Sequence, residues 1–274
     1  YILFGRDTKD KTANELIQAI QSYQDAAAIP LLIGVDEEGG TVVRVSSNPH
    51  LRTSKFQSPQ KLFLSGGMEA ILADTHEKDT LLQALGFNVN LAPVADVSAD
   101  PGDFIYPRTF GQDAAATADY VSQVTARMSA DGMGSVLKHF PGYGNNVDTQ
   151  AGGGLTAVLV SHNIMSCVDD ALPASLSPAV HEILREDLGF DGVVMTDDLA
   201  MDAVSAYAKD GAVAVMALKA GNDLVLTTDY RSQIPKVIEA VENGGLSEEV
   251  IDTACRRVLG WKSALGLLDG GLNG

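Results

Sequence analysis

The chain has 274 residues, 45% of them hydrophobic and 20% charged, an ordinary globular composition with room for one large α/β domain or two small ones. Its 19 Lys and Arg against 36 Asp and Glu give a net charge of −17, which argues against nucleic acid or an anionic membrane surface as the main partner. No apolar run approaches the ~20 residues of a membrane helix. The only cysteines, Cys167 and Cys255, lie in no CxxC or Cys/His cluster, so neither zinc nor a disulfide framework is expected and both should pack as small apolar side chains.

The chain opens on Tyr1 in the strand-like YILFG without an initiator Met, which reads as a trimmed start and leaves a cytoplasmic and an exported location both open. Strands are expected at 1–4, 31–36, 88–96, 135–140, 157–162, 192–196 and 223–227, as short runs rich in Val, Ile and Leu. Amphipathic helices are expected at 14–27, 59–85, 114–131, 178–188, 201–220 and 234–243. A last helix over 247–265 takes Ser247 as its N-cap, and Gly221 stops the helix before the seventh strand. Alternating strands and helices imply a parallel sheet. One strand lost before Tyr1 would bring the count to eight. Between Gln150 and the strand at 157, the linker Ala151-Gly152-Gly153-Gly154 is too short for a parallel crossover, which needs roughly a dozen residues. Either these strands are not neighbours or a loop and helix segment is missing after Gln150, and the missing segment is the expectation.

Polar residues collect where the apolar runs stop: Asp36, Asp96, Lys138-His139, His162 and Asp197-Asp198. In a parallel α/β barrel the C-terminal strand ends open onto one face, which carries the chemistry. In GVVMTDD, a carboxylate at the strand end can attack an anomeric carbon, while an adjacent Asp can cap the next helix. The nucleophile is placed on Asp197, with an outward or capping role for Asp198. In VDEEGGTVVR, Asp36 ends a strand, Gly39-Gly40 permits a tight turn, and Arg44 can return to the same pocket. A carboxylate accepting from two vicinal hydroxyls beside an Arg donor suits a sugar, although a surface Asp–Arg ion pair is about as compatible with the spacing. In LKHFPGYGNNVDTQ, Lys138 and His139 end a strand and Asp148 lies on the Gly/Pro/Asn-rich loop. Their bland alternatives are a satisfied core histidine and a solvated loop acid.

VDEEGGTVVR, LAPVADV, PRTFG, LKHFPGYGNNVDTQ and GFDGVVMTDDLAM, in that order and spread over nearly the whole chain, resemble glycoside hydrolase family 3, and more narrowly its β-N-acetylglucosaminidase branch. The resemblance implies a (β/α)8 TIM-type barrel, a single catalytic domain over 1–274, a retaining mechanism, a carbohydrate substrate and no cofactor or metal. It implies a nucleophile at Asp197 and sugar contacts at Asp36, Arg44, Arg108, Lys138 and His139. Asp96 is a weaker candidate, placed by its strand end. The branch's acid/base is a loop His oriented by an Asp two residues earlier. Asp148 matches the Asp, but the His position holds Gln150, whose amide has no proton to give near neutral pH. A second departure is Tyr143, where many relatives have His. Three explanations of Gln150 stay open: an impaired enzyme, a sugar binder that has lost hydrolysis, or a proton donor in the missing segment. An exo-acting N-acetylglucosaminidase working on peptidoglycan or chitin fragments is the leading reading. The alternatives are a non-catalytic N-acetylglucosamine-binding module and a β-glucosidase or β-xylosidase.

Overall fold

The structure, a computed structural model, describes residues 1–143, 156–205, 207 and 212–268. These fall into two compact units, 1–138 with the stretch from Lys262, and His139–Tyr143 with Ala157–Trp261. In the first unit the order is β1 (Ile2–Leu3), α1 (Gly5–Thr8), α2 (Ala13–Asp25), β2 (Gly34–Val35), α3 (Pro59–Ala84), β3 (Val89–Asn90), α4 (Ala114–Ala130) and β4 (Gly134–Phe140), whose last two residues are counted with the second unit. The strands pair in parallel in sequence order, Ile2 beside Gly34, Gly34 beside Val89 and Val89 beside Gly134. Every residue of β4 is buried, which explains its nearly continuous apolar sequence.

The helices begin where their sequences direct. Thr12 and Glu15 form a reciprocal capping box on α2, with Thr12 N–H donating to Glu15 Oε2 at 2.8 Å and Glu15 N–H donating to Thr12 Oγ1 at 3.3 Å. Asp113 caps α4 through Ala116 N–H at 2.9 Å. α3 packs on α4, and Phe110 stacks on Tyr120 of α4 with ring centroids 4.6 Å apart. The expected continuous helix over 59–85 is interrupted. Gly67 takes φ +64°, ψ −157°, a region open only to glycine, and the adjacent pair Gly66-Gly67 breaks the ladder there. The third strand is also shorter than expected. Pro93 has no N–H to give, so pairing stops after Asn90 and resumes only as a bridge from Val94 to Lys138.

In the second unit come β5 (Thr156–Val160), α5 (Pro178–Glu182), β6 (Val193–Thr196), α6 (Asp202–Ser205), α7 (Val213–Ala220), α8 (Tyr230–Glu242) and α9 (Glu248–Ala264). β5 and β6 are parallel, from Ala157 beside Val193 to Val160 beside Thr196. α5 continues as a π-helical turn over Ile183–Asp187. The helix expected over 201–220 is two helices, because Ala212 at φ −92°, ψ 44° leaves the helical basin. The seventh strand is reduced to a bridge between Met195 and Leu224. There the Thr196 hydroxyl takes Leu226 N–H at 3.0 Å, in place of a ladder carbonyl. Gly221 ends α7 at φ +117°, and Ser247 Oγ accepts Glu249 N–H at 3.1 Å at the start of α9. Leu176, Leu199, Val204, Val213, Ala214 and Ala217 form the core beside α7. Both cysteines are exposed thiols, not the packed apolar side chains expected, since each falls on the outward side of its segment.

The parallel strands and intervening helices make this an α/β fold. No helix among the described residues is long and apolar enough to cross a membrane.

Candidate active site

The first unit holds a cluster of buried charges at the exit of β2. The chain turns sharply at Gly39, whose φ is +97° and where a Cβ would lie 2.2 Å from the Gln57 carbonyl oxygen, so only glycine fits. Before that turn stand three acids with three different roles. Asp36 meets Lys138, the ammonium donating to Asp36 Oδ1 at 2.5 Å. Glu38 Oε1 receives the same ammonium at 2.6 Å. Arg108 grips Glu38 with both edges, Nε to Oε2 at 3.0 Å and Nη2 to Oε1 at 2.8 Å. Glu37 points the other way and is 0% exposed. Its carboxylate accepts the backbone N–H groups of Arg44 and Val45, each at 2.7 Å, and of Ser46 at 3.1 Å, as well as the Ser46 hydroxyl. Asn90 clamps the same peptide, its Oδ1 taking Glu37 N–H at 3.0 Å and its Nδ2 donating to Glu37 C=O at 3.1 Å.

The charges compensate one another. Burial alone would push the Asp36 carboxyl upward, but the Lys138 ammonium, its hydrogen bond, and then Arg44 and Arg108 hold it below the usual carboxylate range. Glu38 is likewise held low, the cost of burial being outweighed by Lys138 and Arg108. Burial works against a charged Lys138 too, yet Asp36 and Glu38 raise it above its ordinary value. Asp96 is buried and, with Glu38 and Asp36, helps hold Arg108 charged against its burial.

The structure therefore brings together Asp36, Lys138, Arg108 and Asp96, four of the expected site residues. Arg44 is placed by the loop that Glu37 organises; it makes no direct ion pair with Asp36 among the described residues, and acts on it through charge alone. The expected Asp–Arg pairing is instead Asp36 with Lys138. Glu38 and Glu37 were not singled out from the sequence. An acidic triplet before Gly-Gly gives no sign of which acid turns inward.

In the second unit, Asp197 follows β6 directly and is half-buried. Its Oδ1 accepts Asp198 N–H at 2.8 Å, which fixes the carboxylate. Asp198 serves the backbone, its Oδ1 accepting Ala200 N–H and Thr228 N–H, each at 3.0 Å; neither lies in a helix, so it ties two loops together and does not cap the helix that follows. His162 is structural: one ring nitrogen pairs with Ser175 Oγ at 2.7 Å and the other with the Asp198 carbonyl at 3.0 Å. His139 is buried, with the Tyr143 ring edge-on to it at 4.5 Å between centroids. Asp148 and Gln150 lie outside the described residues.

Comparison with known proteins agrees with this chemistry. The sequence profile of the glycosyl hydrolase family 3 N terminal domain matches residues 1–155 and 150–260. The beta-hexosaminidase of Bordetella pertussis is 32% identical over 254 residues, covering 82% of this chain and 71% of that protein. Beta-hexosaminidase LpqI of Mycobacterium tuberculosis is 28% identical over 292 residues, covering 94% of this chain and 74% of that protein. Among solved structures, a glycoside hydrolase family 3 beta-N-acetylglucosaminidase from Paenibacillus sp. superposes over 98% of this chain with a TM-score of 0.85 at 29% identity, and this chain spans 57% of its length.

Proposed function

The chain belongs to glycosyl hydrolase family 3 and is a glycoside hydrolase, and we propose that it is a retaining, exo-acting β-N-acetylglucosaminidase that releases terminal β-linked N-acetylglucosamine from peptidoglycan- or chitin-derived glycans. The observation that carries this reading is the Asp36–Lys138–Glu38–Arg108 cluster. A carboxylate held ionised beside two cations offers the acceptor and the donors that neighbouring hydroxyls of a pyranose can use. The choice of N-acetylglucosamine over glucose comes from the names of the related proteins and from the KHFPG loop. We read the parallel strands as part of a (β/α)8 barrel and the chain as one catalytic domain.

The roles follow residue by residue. Asp36, Arg44, Arg108, Lys138 and His139 hold the terminal sugar, with Asp96 behind Arg108. Asp197 attacks the anomeric carbon, and the bond to the aglycone oxygen breaks as a glycosyl ester forms on the carboxylate. Its backbone-anchored Oδ1 leaves the other oxygen to attack. Asp148 orients position 150. Gln150 can hydrogen-bond the departing oxygen but cannot protonate it, so activated leaving groups are the favoured substrates.

The test combines turnover and trapping. An aryl N-acetylglucosaminide should be cleaved and the matching aryl glucoside spared, and a 5-fluoro N-acetylglucosaminyl fluoride should leave an adduct on Asp197 that Asp197→Ala abolishes. Tight binding without turnover or adduct would make the protein a sugar-binding module. An adduct on another residue would remove Asp197 from its role.

A further inference from the structure

The geometry points to Glu38 as the positioning residue of the terminal-sugar subsite, one that engages both the buried Lys138 and the partly exposed Arg108 and so leaves Asp36 open to the sugar. This rests on the glycosidase reading above. Glu38 does not itself meet substrate. Its side chain is 3% exposed, and both carboxylate oxygens are spent on cations, Oε1 on Lys138 Nζ at 2.6 Å and Arg108 Nη2 at 2.8 Å, Oε2 on Arg108 Nε at 3.0 Å. Its backbone is fixed on both sides, the N–H donating to Val42 C=O at 3.0 Å and the C=O accepting from Lys78 Nζ at 3.4 Å.

What this achieves is seen in Asp36 and Lys138. Asp36 is the more open of the two carboxylates, with a side chain 16% exposed against 3% for Glu38. Only its Oδ1 is occupied; among the described residues Oδ2 accepts no hydrogen bond and can take a sugar hydroxyl. Lys138 has three N–H donors. Asp36 and Glu38 take two, and the third remains for a hydroxyl. Without Glu38, Lys138 would have Asp36 as its one direct anionic partner and would close over Asp36 Oδ2, while Arg108 would lose its two-edged grip and keep only the charges of Asp96 and Asp36.

The side-chain length matters as well. Glu reaches both cations from a backbone pinned at the Gly39 turn, whereas Asp is shorter by one C–C bond, about 1.5 Å, and would reach only one. Gln keeps the length but replaces one acceptor with an NH2 that cannot accept from a cation.

Two variants and two readouts test the assignment. Glu38→Gln and Glu38→Asp are compared with the parent for thermal midpoint, for kcat and KM on an aryl N-acetylglucosaminide, and for the alkaline titration of Lys138 followed by NMR of 13Cε-labelled lysine, with Lys138→Arg identifying the resonance. The groups facing that ammonium are Asp36 and Glu38 directly, with Arg108, Arg44 and Lys78 beyond them and Asp96 beside Arg108. Glu38→Gln should lower kcat/KM about 10- to 100-fold, as the loss of organised polar contacts to one sugar does. It should move the Lys138 titration down, since a buried ammonium loses one of two anionic partners. Glu38→Asp should recover part of both. A folded Glu38→Gln protein with parental kcat/KM and an unmoved Lys138 titration would overturn the proposal, even with a lowered thermal midpoint. If Glu38→Gln does not fold, Glu38→Asp decides by the same readouts. If the parent neither binds nor cleaves the aryl N-acetylglucosaminide, the glycosidase reading fails, and the Lys138 titration still decides the role of Glu38.

Discussion

At the scale of single residues, position 150 separates this chain from the resemblance that its other motifs carry. On the proposed reading Asp148 is the residue that would orient an imidazole two positions on, while the amide of Gln150 has no proton to give to an unactivated leaving group. General acid–base help is worth ~10²–10⁴-fold. Gln150→His should therefore raise turnover of a chitobiose-type disaccharide by ~10²-fold or more. The gain on a nitrophenyl glycoside should be smaller, because its leaving group departs without protonation and only breakdown of the glycosyl-enzyme benefits. Rate measurements on the two substrates check this, and equal rates for both proteins would place the proton donor elsewhere. Single residues also show how much of the site was legible. That Asp36 and Lys138 meet could be anticipated because each stands where an apolar run ends. Glu38 could not, because its partners Arg108 and Lys138 lie 70 and 100 positions away, and nothing local distinguishes it from Glu37.

At the scale of elements, the loop between β2 and α3 is organised by one carboxylate. Glu37 is fully buried and satisfies three consecutive backbone N–H groups and a hydroxyl, and this returns Arg44 toward Asp36. Each hydrogen bond to a charged group contributes ~1.5–3 kcal/mol, and orphaned buried donors cost about as much. Glu37→Ala should accordingly lose about 3 kcal/mol or more in a urea titration, and a loss below about 1 kcal/mol would show that water replaces the carboxylate. Elements were legible where their signal is local. The Ser247 cap and the Gly221 stop both appear where the sequence puts them. Those set by tertiary pairing were not. Strand 88–96 is cut by Pro93, and the ladder at 223–227 yields to the Thr196 hydroxyl. The break at Gly66-Gly67 was hidden because amphipathic pattern continues on both sides.

At the scale of the whole molecule, stability should respond to pH through an acid that plays no part in the site. Asp79 of α3 is fully buried, and neither of its oxygens has a hydrogen-bond partner among the described residues. Burial, and then repulsion from the Asp131 carboxylate that ends α4, push it up from its ordinary value of 3.8 to about 8. Asp131 itself is tied down by Arg127 and by His76, each at 2.9 Å. The folded protein thus binds a proton that the unfolded chain releases above about pH 4. Stability from this group is greatest at low pH, falls as pH rises toward about 8, and levels off above. Asp36 and Glu38 have the opposite sign, because their carboxyls are held low in the folded state. What they contribute is present above the ordinary carboxylate range and is lost only in acid. Subtracting a variant isolates the Asp79 arm. Asp79→Asn cannot ionise, and its amide can donate toward Asp131 as the protonated acid would. Relative to Asp79→Asn, the parent should lose up to about 1.4 kcal/mol per pH unit between roughly pH 5 and 8. Urea midpoints for both proteins across that range measure the difference directly. A gap that does not change with pH would mean that Asp79 is already ionised in the folded protein at pH 5, its charge met by Lys78.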